Sequence, residues 1–153
     1  MNYNMMLKAA IATLSTTILA GELLLPKPAQ ANSYTEQVAR QLVEATILAG
    51  HRNIPPTHEP QIQTLRDGRS SVMTLNLRSG ASYRLVGVCD ADCADLDLKL
   101  YDQNGNLISS DIAADSTPII SVVPRWSGQF YLQVDMANCQ ANYCYYGIGV
   151  FGQ

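Results

Sequence analysis

Residues 95–101 read DLDLKLY, with leucine at every second position, Leu96, Leu98 and Leu100, and Asp95, Asp97, Lys99 and Tyr101 around them. Successive side chains of an extended chain point to opposite faces, so this stretch reads as a strand with one dry face and one wet face. The same short apolar runs occur on either side of it: SVMTLNL (71–77), SYRLVGV (82–88), NLISS (106–110), TPIISVV (117–123), GQFYLQV (128–134) and CYYGIGV (144–150). Turn residues separate them, including Arg78-Ser79-Gly80, Gln103-Asn104-Gly105 and Arg125-Trp126-Ser127-Gly128. Short strands at this spacing predict an all-β chain, an antiparallel β-sandwich of the jelly-roll or immunoglobulin-like kind with about seven to eight strands. Leu96, Leu98 and Leu100 should share its core with Phe130, Leu132 and Val134. Asn104-Gly105 tolerates positive φ and marks a hairpin from Tyr101 to Ile108.

Upstream of residue 67 the period changes. Ser33-Tyr34-Thr35-Glu36 has the spacing of a capping box. Tyr34, Val38, Leu42, Ala45 and Ala49 recur at helical spacing, and Gly50 supplies a stop. An amphipathic helix is therefore expected within residues 32–52. Such a helix is marginal alone and needs a surface, either its own domain or a partner. Residues 53–66 begin NIPPTHEP, whose prolines remove donors and force extended backbone, and are expected to be a linker to a sandwich domain over 67–153.

The first 31 residues have the order of a secretory signal peptide: Lys8, an apolar run from Ala9 to Ala20, then a tract ending Ala29-Gln30-Ala31. The apolar run is far shorter than the roughly 20 residues a membrane span needs, so no stable membrane insertion is expected after cleavage behind Ala31. Glu22, not cysteine, follows Leu19-Ala20-Gly21, which leaves no thiol for lipid attachment. The expected product is periplasmic or secreted, and at this length it suits one domain. Of ten lysines and arginines and thirteen acids, the leader removes two cations and one acid, leaving a net charge of −4. That balance offers no basic patch for a phosphate backbone and argues against nucleic acid as a partner.

All four cysteines, Cys89, Cys93, Cys139 and Cys144, lie in the exported part. An even count in an oxidising compartment reads as two disulfides, and the spacings C-x3-C and C-x4-C are not those of a usual zinc knuckle. The pairing Cys89–Cys93 with Cys139–Cys144 closes two short polar loops; cross-pairing stays open if the loops are spatial neighbours.

Five aspartates, Asp90, Asp92, Asp95, Asp97 and Asp102, crowd around the first cysteine pair. Asp95 and Asp97 should stand about 6.6 Å apart on the wet face, a separation that falls within the carboxylate spacing of an inverting glycosidase, but an alternating strand offers no cleft to raise one pKa. Asp90, Asp92, Asp95 and Asp97 could instead donate oxygens to calcium around a disulfide-closed bend, although no spacing matches a dedicated calcium loop. The alternative is that they are solvated loop residues that cap strand ends. His51 and His58 form no metal-ligand spacing, and a G-x-S-x-G elbow is absent, so no catalytic residue and no resident cofactor is assigned and no enzyme is expected. Trp126, Tyr131, Tyr145 and Tyr146, with Tyr143 beside them, are the candidates for a binding surface.

The segment from about Asp67 to Phe151, above all DLDLKLYDQNGNLISSD, TPII, SGQFYLQV and YYGIGV, resembles the bacterial pre-peptidase C-terminal domain. The resemblance implies a β-sandwich accessory module of exported enzymes, mostly proteases, without catalytic residues of its own; the cysteine loops depart from the family's general pattern. Two functions follow as expectations. The first is a non-catalytic exported module that binds a protein or cell-envelope component. The second is a calcium-stabilised accessory domain that assists a separately encoded secreted protease.

Overall fold

A computed structural model describes residues 30–48 and 56–152. The helix α1 spans Gln30–Leu48, and eight strands follow: β1 Gln61–Leu65, β2 Ser70–Leu77, β3 Tyr83–Cys89, β4 Cys93–Tyr101, β5 Leu107–Asp111, β6 Ile119–Val122, β7 Gly128–Cys139 and β8 Cys144–Gly152. They form two antiparallel four-stranded sheets, ordered β1-β8-β3-β6 and β2-β7-β4-β5. That order is the jelly-roll form of the sandwich, which removes the immunoglobulin-like alternative.

The alternation in β4 sets the interior. Leu96, Leu98 and Leu100 are wholly buried, and the register places Leu98 opposite Val134 and Leu100 opposite Leu132 on β7. Phe130, Leu75, Leu85, Met136 and Ile148 complete the layer between the sheets. Burying one such side chain contributes about 1.5–3 kcal/mol, which makes this layer the main source of stability. At the far end of β4 the expected hairpin forms. Gly105 takes φ 82°, and the Asp102 carboxylate accepts hydrogen bonds from the amides of Asn104 and Asn106, each at 2.8 Å.

Two expectations need correction. The helix begins at Gln30, so Ser33 lies inside α1 rather than capping it. The linker over 53–66 contains β1, which pairs along the first half of β8 from Leu65↔Cys144 to Gln61↔Ile148. Pro56 bridges to Phe151, and the Thr57 amide donates to the Val150 carbonyl at 2.8 Å, so the proline-rich segment continues beside the second half of β8. Prolines fit such a place because an edge leaves backbone donors unused. The expected signal segment, apart from its last two residues in α1, lies outside the described residues, as do Ala49, Gly50, His51 and the start of the linker.

The helix lies on the outer face of the β1-β8-β3-β6 sheet. Val38, Leu42 and Ala45 form its buried stripe and pack with Val86, Val88 and Phe151. Outward-facing Gly147 makes that approach possible, since a β-carbon there would stand 2.6 Å from Val38 Cγ1 and 2.9 Å from Leu42 Cδ1. Among the described residues, then, α1 packs on its own domain.

Candidate functional site

The two disulfides are those expected, Cys89–Cys93 and Cys139–Cys144. Each joins the sheets, β3 to β4 and β7 to β8, and Cys93 stands opposite Cys139 in the β4–β7 register. The two loops are therefore neighbours at one end of the sandwich, as their sequence spacing alone could not say.

Asp90 begins the first loop and is 3% exposed. Its carboxylate accepts hydrogen bonds from the amides of Tyr145, at 2.8 Å, and Asp92, at 3.2 Å, so it ties the loop to β8. Burial nevertheless raises its pKa above the usual carboxylate value, with the amides pulling the other way. The Asp92 carbonyl accepts the amide of Gln140 at 2.8 Å, which ties the first loop to the second.

A helix residue closes the site. Tyr34 stacks on Tyr145 with ring centroids 5.6 Å apart and planes 9° from parallel, and Tyr143 meets Tyr145 edge-on at 5.8 Å and 66°. The charge of Asp92 and its hydrogen bond with the phenol raise the pKa of Tyr34, and burial, then Tyr143, raise that of Tyr145. Together with Asn142, these side chains line an open hollow of about 220 Å³. Three segments far apart in sequence thus supply aromatic faces, phenol hydroxyls and carboxylates to one cavity. An arrangement of this kind can recognise a small polar or cationic group.

Of the expected surface residues, Tyr145 and its neighbour Tyr143 belong to this cavity. Tyr146 is buried in the core, where burial raises its pKa, and its hydroxyl pairs with Gln63 Oε1 at 3.0 Å. Tyr131 sits opposite Tyr101 on the outer face of the β2-β7-β4-β5 sheet. Trp126 is at the other end of the sandwich, stacked on Phe130 at 5.6 Å beside a hollow of about 340 Å³ lined by Leu107, Ile108 and Val123. Adjacent tyrosines on a strand must face opposite ways, which is why Tyr145 and Tyr146 part company. Tyr34 was the missed member. Tyr34 reads as one more apolar residue of a helical stripe, and only its position in the first turns of a helix packed on β8 brings it to the site.

The four aspartates considered as calcium ligands are not brought together. Asp90 and Asp92 border the hollow, whereas Asp97 and Lys99 lie along the open face of β4, opposite Asp135 and Gln133. Lys99 Nζ pairs with Asp135 at 2.6 Å, and Gln133 donates to the same carboxylate at 2.7 Å. Burial works to raise Asp135, but hydrogen bonds from Lys99, Ser70 and Gln133 hold its pKa below the usual value. Asp97 is raised, by burial and then by the charge of Asp95. Asp95 Oδ1 is enclosed without a hydrogen-bond partner. Among the described residues no three Asp, Glu, His or Cys side chains are grouped so as to hold a metal ion. His58 lies elsewhere, with Nε2 bonded to the Asn76 carbonyl at 3.2 Å and Nδ1 to Thr57 Oγ1 at 3.0 Å.

No protein-family model matches the chain, and no curated protein matches it. Among solved structures it is similar to the crystal structure of Aeromonas hydrophila PliG, a periplasmic lysozyme inhibitor of g-type lysozyme. The TM-score is 0.48 at 10% sequence identity, over 62% of this chain and 85% of that one.

Proposed function

We propose that this chain is an exported, non-catalytic module that binds a protein or cell-envelope component at the disulfide-bridged end of its sandwich. The observation that carries the reading is the convergence of Tyr34, Asp92, Tyr143 and Tyr145, from three separate segments, on one open hollow. Two disulfides support an oxidising compartment, as does the signal-like leader. A binding role rather than a catalytic one is supported by how the carboxylates are used. Asp90 and Asp102 cap turns, and Asp97 stands on an open sheet face. Kinship with the pre-peptidase C-terminal domains is part of the proposal and fits an accessory module.

Site-directed photo-crosslinking in an envelope extract tests it. A photoreactive residue at position 143 should give one dominant conjugate, absent when the same residue is placed at position 126. A Tyr143→Ala variant with an unchanged melting temperature should fail to compete for that partner. Equal conjugates from both positions would remove the assignment of this end. Millimolar calcium should leave the melting temperature unchanged; a calcium-dependent rise would favour the accessory-module alternative instead.

A further inference from the structure

We infer that the hollow between Tyr34, Tyr143 and Asp92 receives a single basic side chain, lysine or arginine, presented by a partner protein. The inference rests on the binding-module reading and names the chemistry of its site.

Size narrows the guest first. At about 220 Å³ the hollow is smaller than the roughly 300–1,000 Å³ of sites for drug-sized ligands, so one side chain fills it. Charge gives the sign. Neither Asp90 nor Asp92 has an ion pair among the described residues, where the pairs are Arg40–Glu36 and Lys99–Asp135, and no lysine or arginine lines the cavity. Asp90 already accepts from two amides, which leaves Asp92, beside the Tyr34 phenol, as the carboxylate with acceptor capacity toward a guest.

The aromatic groups point the same way. Ring faces are electron-rich and attract ammonium and guanidinium groups. Tyr34 and Tyr145 lie nearly parallel while Tyr143 meets Tyr145 edge-on, so the rings do not all cover one another. Tyr143 lines the hollow and is 51% exposed. The phenol of Tyr34 is raised first by the charge of Asp92, which is what a negative local field produces. Both loops are tied by disulfides and by backbone hydrogen bonds, so little ordering remains to be done when a guest enters.

The test is a titration of the isotopically labelled chain with the acetylated amides of arginine, lysine and citrulline, followed by amide chemical shifts. Citrulline keeps the shape of arginine without its charge. The arginine and lysine probes should move the amides of Asp92 and Tyr145, with citrulline at least about tenfold weaker. Asp92→Asn should weaken the charged probes by about tenfold, and salt should weaken them further. Should Asp92→Asn not fold, Tyr143→Ala serves in its place, since that ring is half exposed. Citrulline binding as tightly as arginine, indifference to Asp92→Asn, or shifts confined to the Asp97–Asp135 face would overturn the inference. So would tighter binding of tetramethylammonium than of either amino-acid probe, which would assign the hollow to a small quaternary ammonium. A crosslinked partner for which Tyr143→Ala fails to compete while Asp92→Asn competes as well as the unsubstituted chain would refute the basic guest and keep the binding module. Arginine binding without any partner at position 143 would do the reverse.

Discussion

The two sheets carry the same period-two pattern and end up in different surroundings. On β8 the outward positions are Tyr145, Gly147, Gly149 and Phe151, and α1 lies on them. On β4 the outward positions include Asp97, Lys99 and Tyr101, and no described element covers them. The inner faces are alike, rows of leucine, isoleucine and valine. What distinguishes the outer faces is the removal of side chains, not a gain of apolar surface alone. Two glycines lower one strip of the first sheet until a helix can settle into it, whereas charged residues keep water on the second. The candidate site exists because of that difference, since Tyr34 reaches Tyr145 only from a helix seated this closely.

The contrast can be broken most directly at its lowest point. Gly147→Ala drives a methyl group into Val38 and Leu42 and should cost about 2–3 kcal/mol, read as a lower melting temperature together with loss of the Tyr34–Tyr145 stacking signal. Adding Val38→Ala should return part of that loss, a coupling of more than about 0.5 kcal/mol, whereas simple additivity would refute the close seat. Next in size is the covalent link between the sheets. Replacing Cys139 and Cys144 together by alanine should cost about 2 kcal/mol, the loop-closure entropy of so short a ring, in denaturant unfolding.

The wet sheet should be far more tolerant. Lys99→Met should change stability by less than about 1 kcal/mol, because a partly exposed pair returns little of its Coulomb attraction. Smallest is the effect of Asp97. Its folded pKa lies above the unfolded value, so its ionisation opposes folding at neutral pH, and the opposition fades as pH falls through the folded value toward about 3.9. Asp97→Asn should therefore raise the melting temperature at pH 7 by about 1–2 °C and change nothing near pH 3. A gain that persists in acid would mean that the asparagine acts by another route.

Much of the sandwich was legible because its signal is local. Each strand announces itself by alternation, the Asn104-Gly105 turn by its backbone freedom, and each disulfide by the nearness of its cysteines. β1 was hidden behind prolines, whose meaning depends on whether the strand they adjoin lies at an edge. Its sequence QIQTL carries too few apolar residues to alternate visibly, and β8 supplies the reason for it to extend. The site was legible only in pieces. Asp90 and Asp92 were singled out for their charge and Tyr145 for its ring, but Tyr34 joins them across more than fifty positions of chain. No local rule reports such a meeting. Gly147 and Gly149 were a usable clue, since glycines at two successive outward positions of a strand signal that something must come near.

The nearness of the cysteines within each pair also bears on how the molecule reaches this form. In the finished structure Cys93 faces Cys139, so the wrong partners are close at hand once β4 and β7 have met. In the unfolded chain the correct partners are separated by four and five positions, and encounter is favoured by short separation. Oxidation before collapse would thus choose the native bridges and close off the exchange, leaving little for a thiol-shuffling catalyst to repair. The chain would arrive at assembly with its two clasps already fastened, and β4 would find β7 with no sulfur left to trade.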